Sequence, residues 1–132
     1  MTVRRIMTPI SYSVSPNDTI LEATRQMRVH NTGMLPVTEG DAFLGLITGR
    51  DVAISCVAAG QDPSLCKVKE CMQSNVVAVT PTEALHDALR IMGREHVCQL
   101  CVLEDGHIIG IVELGQLALQ AIEVSALSQG PY

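Results

Sequence analysis

Aromatic residues are nearly absent. There is no Trp, and the chain of 132 residues holds one Phe and two Tyr, so its core must be packed from Val, Ile, Leu, Ala and Met rather than from rings. Positive charge is also scarce. Nine Lys and Arg, scattered along the chain, stand against fourteen Asp and Glu for a net charge of -5. With neither a basic face to follow phosphates nor aromatic platforms to stack bases, no nucleic-acid partner is expected. No apolar run is long enough to span a bilayer, and Arg4 and Arg5 are not followed by the apolar core of a signal peptide, so neither membrane nor secretion is expected and the chain reads as cytoplasmic. The five cysteines are an odd number, which suits reduced thiols better than a disulfide framework. Cys98 and Cys101 have a redox-like spacing, but residues three apart on a strand point to opposite faces, so both read as buried strand residues. Cys56, Cys66 and Cys71 lack metal-ligand spacing. The four histidines are dispersed and no nucleophile stands with a base, so no catalytic residues, no metal and no enzyme are expected.

What the chain does have is size and a repeat. At 47% hydrophobic residues it can bury an ordinary core. Shifted against itself by 65 positions it aligns without a gap, Val3–Val52 upon Val68–Leu117. Met7 falls on Met72, Pro16 on Pro81, Met27 on Met92, Leu35 on Leu100 and Gly45 on Gly110. This is an internal tandem repeat, dividing the chain into copies at 1-62 and 63-132, with Gly60–Ser64 as the linker. Each copy opens on a short apolar segment before Pro16 or Pro81. A helix follows, with apolar residues at Ile20, Ala23 and Met27 and at Leu85, Ala88 and Met92; Asn17 or Asp18, and Thr80 or Thr82, are candidate caps. Two strands come next, 34–38 with 42–47 and 99–103 with 107–112, joined at Gly40-Asp41 and Asp105-Gly106, both favourable hairpin turns. Closing helices cover 51–59 and 116 to about 127, and Ser125–Tyr132 reads as a tail. The fold class is α/β, a βαββα unit used twice. A three-stranded sheet with helices on one face leaves the other face apolar, so the two copies are expected to pack sheet to sheet, neither being stable alone.

Chemistry concentrates at Gly45-Leu46-Ile47-Thr48-Gly49-Arg50-Asp51, where a strand runs into a helix. Thr48 is the natural N-cap, with Asp51 in the first turn. A carboxylate there can accept two hydrogen bonds from a vicinal diol such as ribose, and the neighbouring N–H groups can receive a phosphate. The same four residues can equally be a capping box in which Thr48 and Asp51 satisfy each other's backbone N–H groups and no ligand takes part.

The gapless repeat, the Met7-Thr8-Pro9 opening, the Gly33-Met34-Leu35-Pro36-Val37 strand and the stretch from Gly45 to Asp51 together resemble a tandem pair of cystathionine-β-synthase-type (CBS) domains, a Bateman module, over residues 3 to about 122. The resemblance implies two repeats related by a pseudo-two-fold axis. It also implies a non-catalytic regulatory module that binds AMP, ADP, ATP or S-adenosylmethionine in the cleft between repeats and signals to an effector protein. On this sequence, Asp51 would hold the ribose hydroxyls and Thr48 the phosphate or ribose. Gly33 and Met34 would flank the base, and Met72, Val76 and Val77 would close the other side. Arg50, Arg4 and Arg5 are candidate phosphate partners.

The second repeat departs from this pattern. Glu113 stands where Thr48 stands and Gln116 where Asp51 stands. A carboxylate about 4 Å from a phosphate costs on the order of 1 kcal/mol in bulk water and several in a cleft, so one competent nucleotide site per chain is expected, at Asp51. A homodimer is also expected, as the family commonly forms, with Val52, Ala53, Val57, Leu117, Leu119 and Ile122 as its apolar surface. The rival reading is a scaffold or dimerisation module that has no ligand.

Overall fold

In order along the chain, the elements are α1 (Val3–Ile6), β1 (Thr8–Pro9), α2 (Ile20–His30), β2 (Met34–Glu39), β3 (Ala42–Thr48), α3 (Gly49–Val52), α4 (Val68–Cys71), β4 (Ala78–Val79), α5 (Leu85–Glu95), β5 (Gln99–Glu104), β6 (His107–Glu113) and α6 (Leu114–Gln129). The computed structural model describes residues 1–129, with side chains described through residue 123. The fold is mixed α/β and repeats a helix, a hairpin and a helix.

The hairpins form as the pattern of apolar residues and turn signals predicts. Gly40 takes φ +60, and Asp105 and Gly106 take +53 and +81, the left-handed backbone that tight hairpin turns require. Leu35, Val37, Leu46 and Ile47 are buried in the first hairpin, and Leu100, Val102, Ile111 and Val112 in the second. Both hairpins carry a bulge at the same repeat position, after Val37 and after Val102.

The helix caps differ from the sequence expectation. The N-cap of α2 is Thr19, not Asn17 or Asp18. Its hydroxyl accepts from the Glu22 N–H at 3.1 Å while its own N–H donates to the Glu22 carboxylate at 3.2 Å. Asp18 instead accepts from the Ser15 N–H. The equivalent N-cap of α5 is Ala84, which offers no side-chain acceptor, while the Thr80 and Thr82 hydroxyls bond to each other. After α3 the winding widens to a π-helical segment, Ala53–Val57, closed by the Ala58 N–H donating to the Ala53 carbonyl. Helix α6 starts two residues before the expected 116 and runs past the expected end near 127 to Gln129, into the segment expected as a tail, and 130–132 lie outside the described residues.

The packing units are not the two halves of the sequence. One comprises Tyr12–Val76; the other joins Met1–Ser11 to Val77–Tyr132. The physical reason is that the segment leading into each repeat is held by backbone hydrogen bonds to the helix start of the other. In the unit 12–76, Ile20 N–H donates to Cys66 O, Val68 N–H to Asp18 O and Lys69 N–H to Pro16 O. At the repeat-equivalent positions, offset by 65, Leu85 N–H donates to Met1 O, Val3 N–H to Glu83 O and Arg4 N–H to Pro81 O. Gly60–Ser64, expected as a linker, is an ordered turn. The Asp62 carboxylate accepts from the N–H and hydroxyl of Ser64, which hold its pKa below the usual carboxylate value.

The unit 12–76 has the β2–β3 hairpin, flanked by a parallel bridge from Val14 to Val37 and an antiparallel bridge from Gln73 to Leu46. The other unit has a four-stranded sheet in the order β1-β6-β5-β4, with β4 parallel to β5 and the rest antiparallel. Both follow one plan. Val14 and Val79 occupy equivalent places, as do Gln73 and Thr8, which sits opposite Ile111. Each unit has its own core. The first holds Ile20, Met27, Leu35, Ile47, Cys56 and Val68; the second holds Val3, Met92, Leu100, Val112 and Leu117.

Candidate ligand-binding site

Strand β3 ends at Thr48, whose extended backbone (φ -115, ψ 163) turns the chain into α3. The capping box expected from the sequence is complete. Asp51 N–H donates to the Thr48 hydroxyl oxygen at 3.1 Å, and Thr48 N–H donates to Asp51 Oδ2 at 2.8 Å. The Thr48 hydroxyl also donates to Oδ2, at 2.9 Å. All three bonds leave Oδ1 out of the cap.

Oδ1 is met by a residue that sequence reasoning missed. The side-chain amide of Gln73 donates to Asp51 Oδ1 at 3.0 Å and to Oδ2 at 3.1 Å. It is brought there by the main chain: Leu46 and Gln73 exchange N–H···O bonds of 2.9 and 2.8 Å. The approach is so close that a Cβ on Gly45 would collide with the Gln73 carbonyl, and Gly45 itself sits at φ +154. Glycine is therefore required there by both space and backbone conformation. Twenty-two residues separate Gln73 from Asp51 with no spacing signal between them. The one available clue was the 65-residue offset, which pairs Gln73 with Thr8.

Several of the expected site residues gather at this junction. The Gly33 carbonyl accepts from the Gly49 N–H at 2.9 Å, and the half-buried Met34 pairs across the hairpin with Thr48. Met72 packs against the core of the same unit, with its Cε beside Gly45. Val76 is half-buried at the end of that unit. Val77 belongs to the other unit, where its carbonyl accepts from Cys101 N–H. Arg50 is exposed and makes no salt bridge among the described residues. Arg4, an expected phosphate partner, is paired with Glu104 in its own unit instead.

The equivalent junction in the second repeat keeps the shape and changes the chemistry. Glu113 N–H donates to Gln116 Oε1 at 2.9 Å, and Gln116 Nε2 donates to the Thr8 hydroxyl oxygen at 3.0 Å. A neutral amide thus supplies the cap, and the position of Asp51 holds no carboxylate to accept from a diol.

The cysteines correct one expectation. Cys101 is buried, but Cys98 is exposed, because it lies in the bend before β5 rather than within the strand. Burial pushes the Cys101 and Cys66 thiols up to about 12. Cys66 and Cys71 lie with their sulfurs 3.6 Å apart in the core of the unit 12–76. No group of three or more His, Cys, Asp or Glu arranged to hold a metal occurs among the described residues, nor does a helix long and apolar enough to cross a membrane.

The comparisons agree with this architecture. The chain is 37% identical over 117 residues to the CBS domain-containing protein YhcV of Bacillus subtilis, covering 89% of this chain and 83% of that one. It is 29% identical over 118 residues to hypoxic response protein 1 of Mycobacterium tuberculosis, covering 89% and 82%. Among solved structures, a protein with CBS domains from Burkholderia ambifaria superposes with a TM-score of 0.81 at 29% identity, over 93% of this chain and 95% of that one. The profile of the CBS domain matches residues 3–56 and again 68–120, and the chain belongs to the CBS-domain family as a tandem pair.

Proposed function

We propose that this CBS pair is a non-catalytic regulatory module whose ligand is an adenosine compound, AMP, ADP, ATP or S-adenosylmethionine, gripped through its ribose by Asp51. The observation that carries the reading is the disposition of the carboxylate: the cap uses Oδ2, while Oδ1 and Oδ2 together present themselves to a single pair of donors, which Gln73 supplies at 3.0 and 3.1 Å. A ribose diol is such a pair. Thr48 fixes the carboxylate in place, Met34 and Met72 offer apolar surface to the base, and Arg50, in no salt bridge among the described residues, is the cation nearest in sequence for a phosphate. Ligand that favours one arrangement of the module shifts its population, which an effector protein can read.

The rival, a ligand-free scaffold, draws on the completeness of the Thr48–Asp51 capping box. Capping alone does not call for an aspartate, since Gln116 satisfies the same N–H in the second repeat with a neutral amide. The test is isothermal titration with the four compounds against wild type, Asp51→Ala and Asp51→Asn. The asparagine keeps an acceptor for the cap while removing the charge and half the acceptor capacity. Saturable binding of one ligand per chain, lost or weakened at least about tenfold in both variants, supports the sensor. No heat from folded wild type supports the scaffold. We further propose that the module is a homodimer.

A further inference from the structure

The Gln73 amide does more than sit near the site: it satisfies both oxygens of the one carboxylate on which the ribose reading depends. Its backbone cannot withdraw, being paired in both directions with Leu46 and seated against Gly45. Its side chain is exposed, so rotation about the side-chain torsions is the available movement. Asp51 Oδ2 already accepts from the Thr48 N–H, the Thr48 hydroxyl and Gln73, at 2.8, 2.9 and 3.1 Å. A carboxylate has about four lone-pair sites in all, which leaves no room for a bidentate diol while the amide remains.

We propose that Gln73 is an internal competitor of the ligand, its amide group standing where the two ribose hydroxyls donate, so that this side chain sets the affinity of the site. The inference rests on the Asp51 reading above and deepens it. The second repeat supports the placement. Its equivalent positions, Thr8 and Gln116, are also joined by a side-chain hydrogen bond, so contact between the leading segment and the third residue of the helix is part of the repeat's architecture. Only in the first repeat is the acceptor a carboxylate, and bonds to a charged acceptor are the stronger kind. Ligand affinity is reduced by the fraction of molecules in which the amide occupies the carboxylate.

The experiment is titration of wild type, Gln73→Ala and Gln73→Met with AMP, ADP, ATP and S-adenosylmethionine, after thermal denaturation has shown all three to be folded. Methionine keeps the length of the side chain and removes its donors, which separates hydrogen bonding from bulk. Both variants are expected to bind the preferred compound about three- to tenfold more tightly than wild type, and adding Asp51→Asn is expected to abolish that gain. Equal or weaker binding by both variants, with wild type binding, overturns this inference and leaves the Asp51 reading standing. A gain in Gln73→Ala alone is relief of bulk and overturns it as well. Binding seen only in the variants supports both readings, and no heat from any of the three proteins overturns both.

Discussion

Two glycines at equivalent repeat positions have different reasons for being glycine. At Gly45 a Cβ would strike the backbone carbonyl of Gln73, and the φ of +154 is itself unfavourable for other residues. At Gly110 the obstacle is chiefly the Met7 side chain, with Sδ at 2.6 Å, which can turn aside. Gly45→Ala should therefore cost at least about 3 kcal/mol and Gly110→Ala only about 1–2 kcal/mol, read from urea unfolding; equal costs would refute the close approach of Gln73 to Gly45. A second residue-scale consequence concerns alkali. Burial raises the Cys101 thiol from 9.0 to about 12, so above pH 9 the unfolded chain loses a proton that the folded chain keeps. The unfolded state then binds fewer protons, and stability falls as pH rises from about 9 towards 12. Cys101→Val, which cannot ionise, should lessen that decline by up to about 1.4 kcal/mol per pH unit. Parallel stability curves for the two proteins between pH 8 and 10.5 would show that the thiol does not titrate as its burial implies.

At the scale of elements, the repeat works as an internal control. Thr19 caps α2 with a full box to Glu22, while Ala84 at the start of α5 has only an acidic residue, Asp87, in the first turn. Thr19→Ala should cost about 1 kcal/mol, and Ala84→Thr should add about 0.5–1 kcal/mol by building the missing half; calorimetry on both would decide, and a neutral Ala84→Thr would mean that Asp87 cannot complete the box. These caps also show what was legible in the sequence. The hairpins were, because two-residue turns and buried β-branched runs are local signals. So was the Thr48–Asp51 box, whose partners lie three apart. The true cap at Thr19 was harder, because Asn17, Asp18 and Thr19 are all capping types and the winner was decided by Glu22 three residues later. Helices α1 and α4, each of four residues, are too short to show a period. Gln73 was illegible for another reason: its contact with Asp51 depends on a backbone pairing with Leu46 that no pattern within either segment encodes.

For the molecule as a whole, the repeat was legible and the packing units were not. Identities at a fixed offset reveal copies, but which segment packs with which is decided by hydrogen bonds between stretches far apart, so units of 12–76 and of 1–11 with 77–132 emerge only in three dimensions. The expected dimer surface is altered in the same way. Val52 and Leu117 lie inside their cores and Ala53 is exposed, whereas among the described residues of these two elements the large apolar side chains more than half exposed are Ile54 and Val57 on the π-helical segment and Leu119 and Ile122 on α6. These are equivalent positions, 65 apart, and their exposures are 54% and 63% in the first repeat and 57% and 65% in the second. Large apolar side chains left in water at matched places in both copies are what self-association through these helices needs. Ile54→Asp with Val57→Asp, and separately Leu119→Asp with Ile122→Asp, should turn a dimer into a monomer in sedimentation velocity. Their thermal stability as monomers should be little changed, since exposed apolar groups give up almost no burial when replaced. A wild-type chain that sediments as a monomer at every accessible concentration would refute the homodimer. Wild-type dimers that survive both pairs of substitutions would move the interface elsewhere.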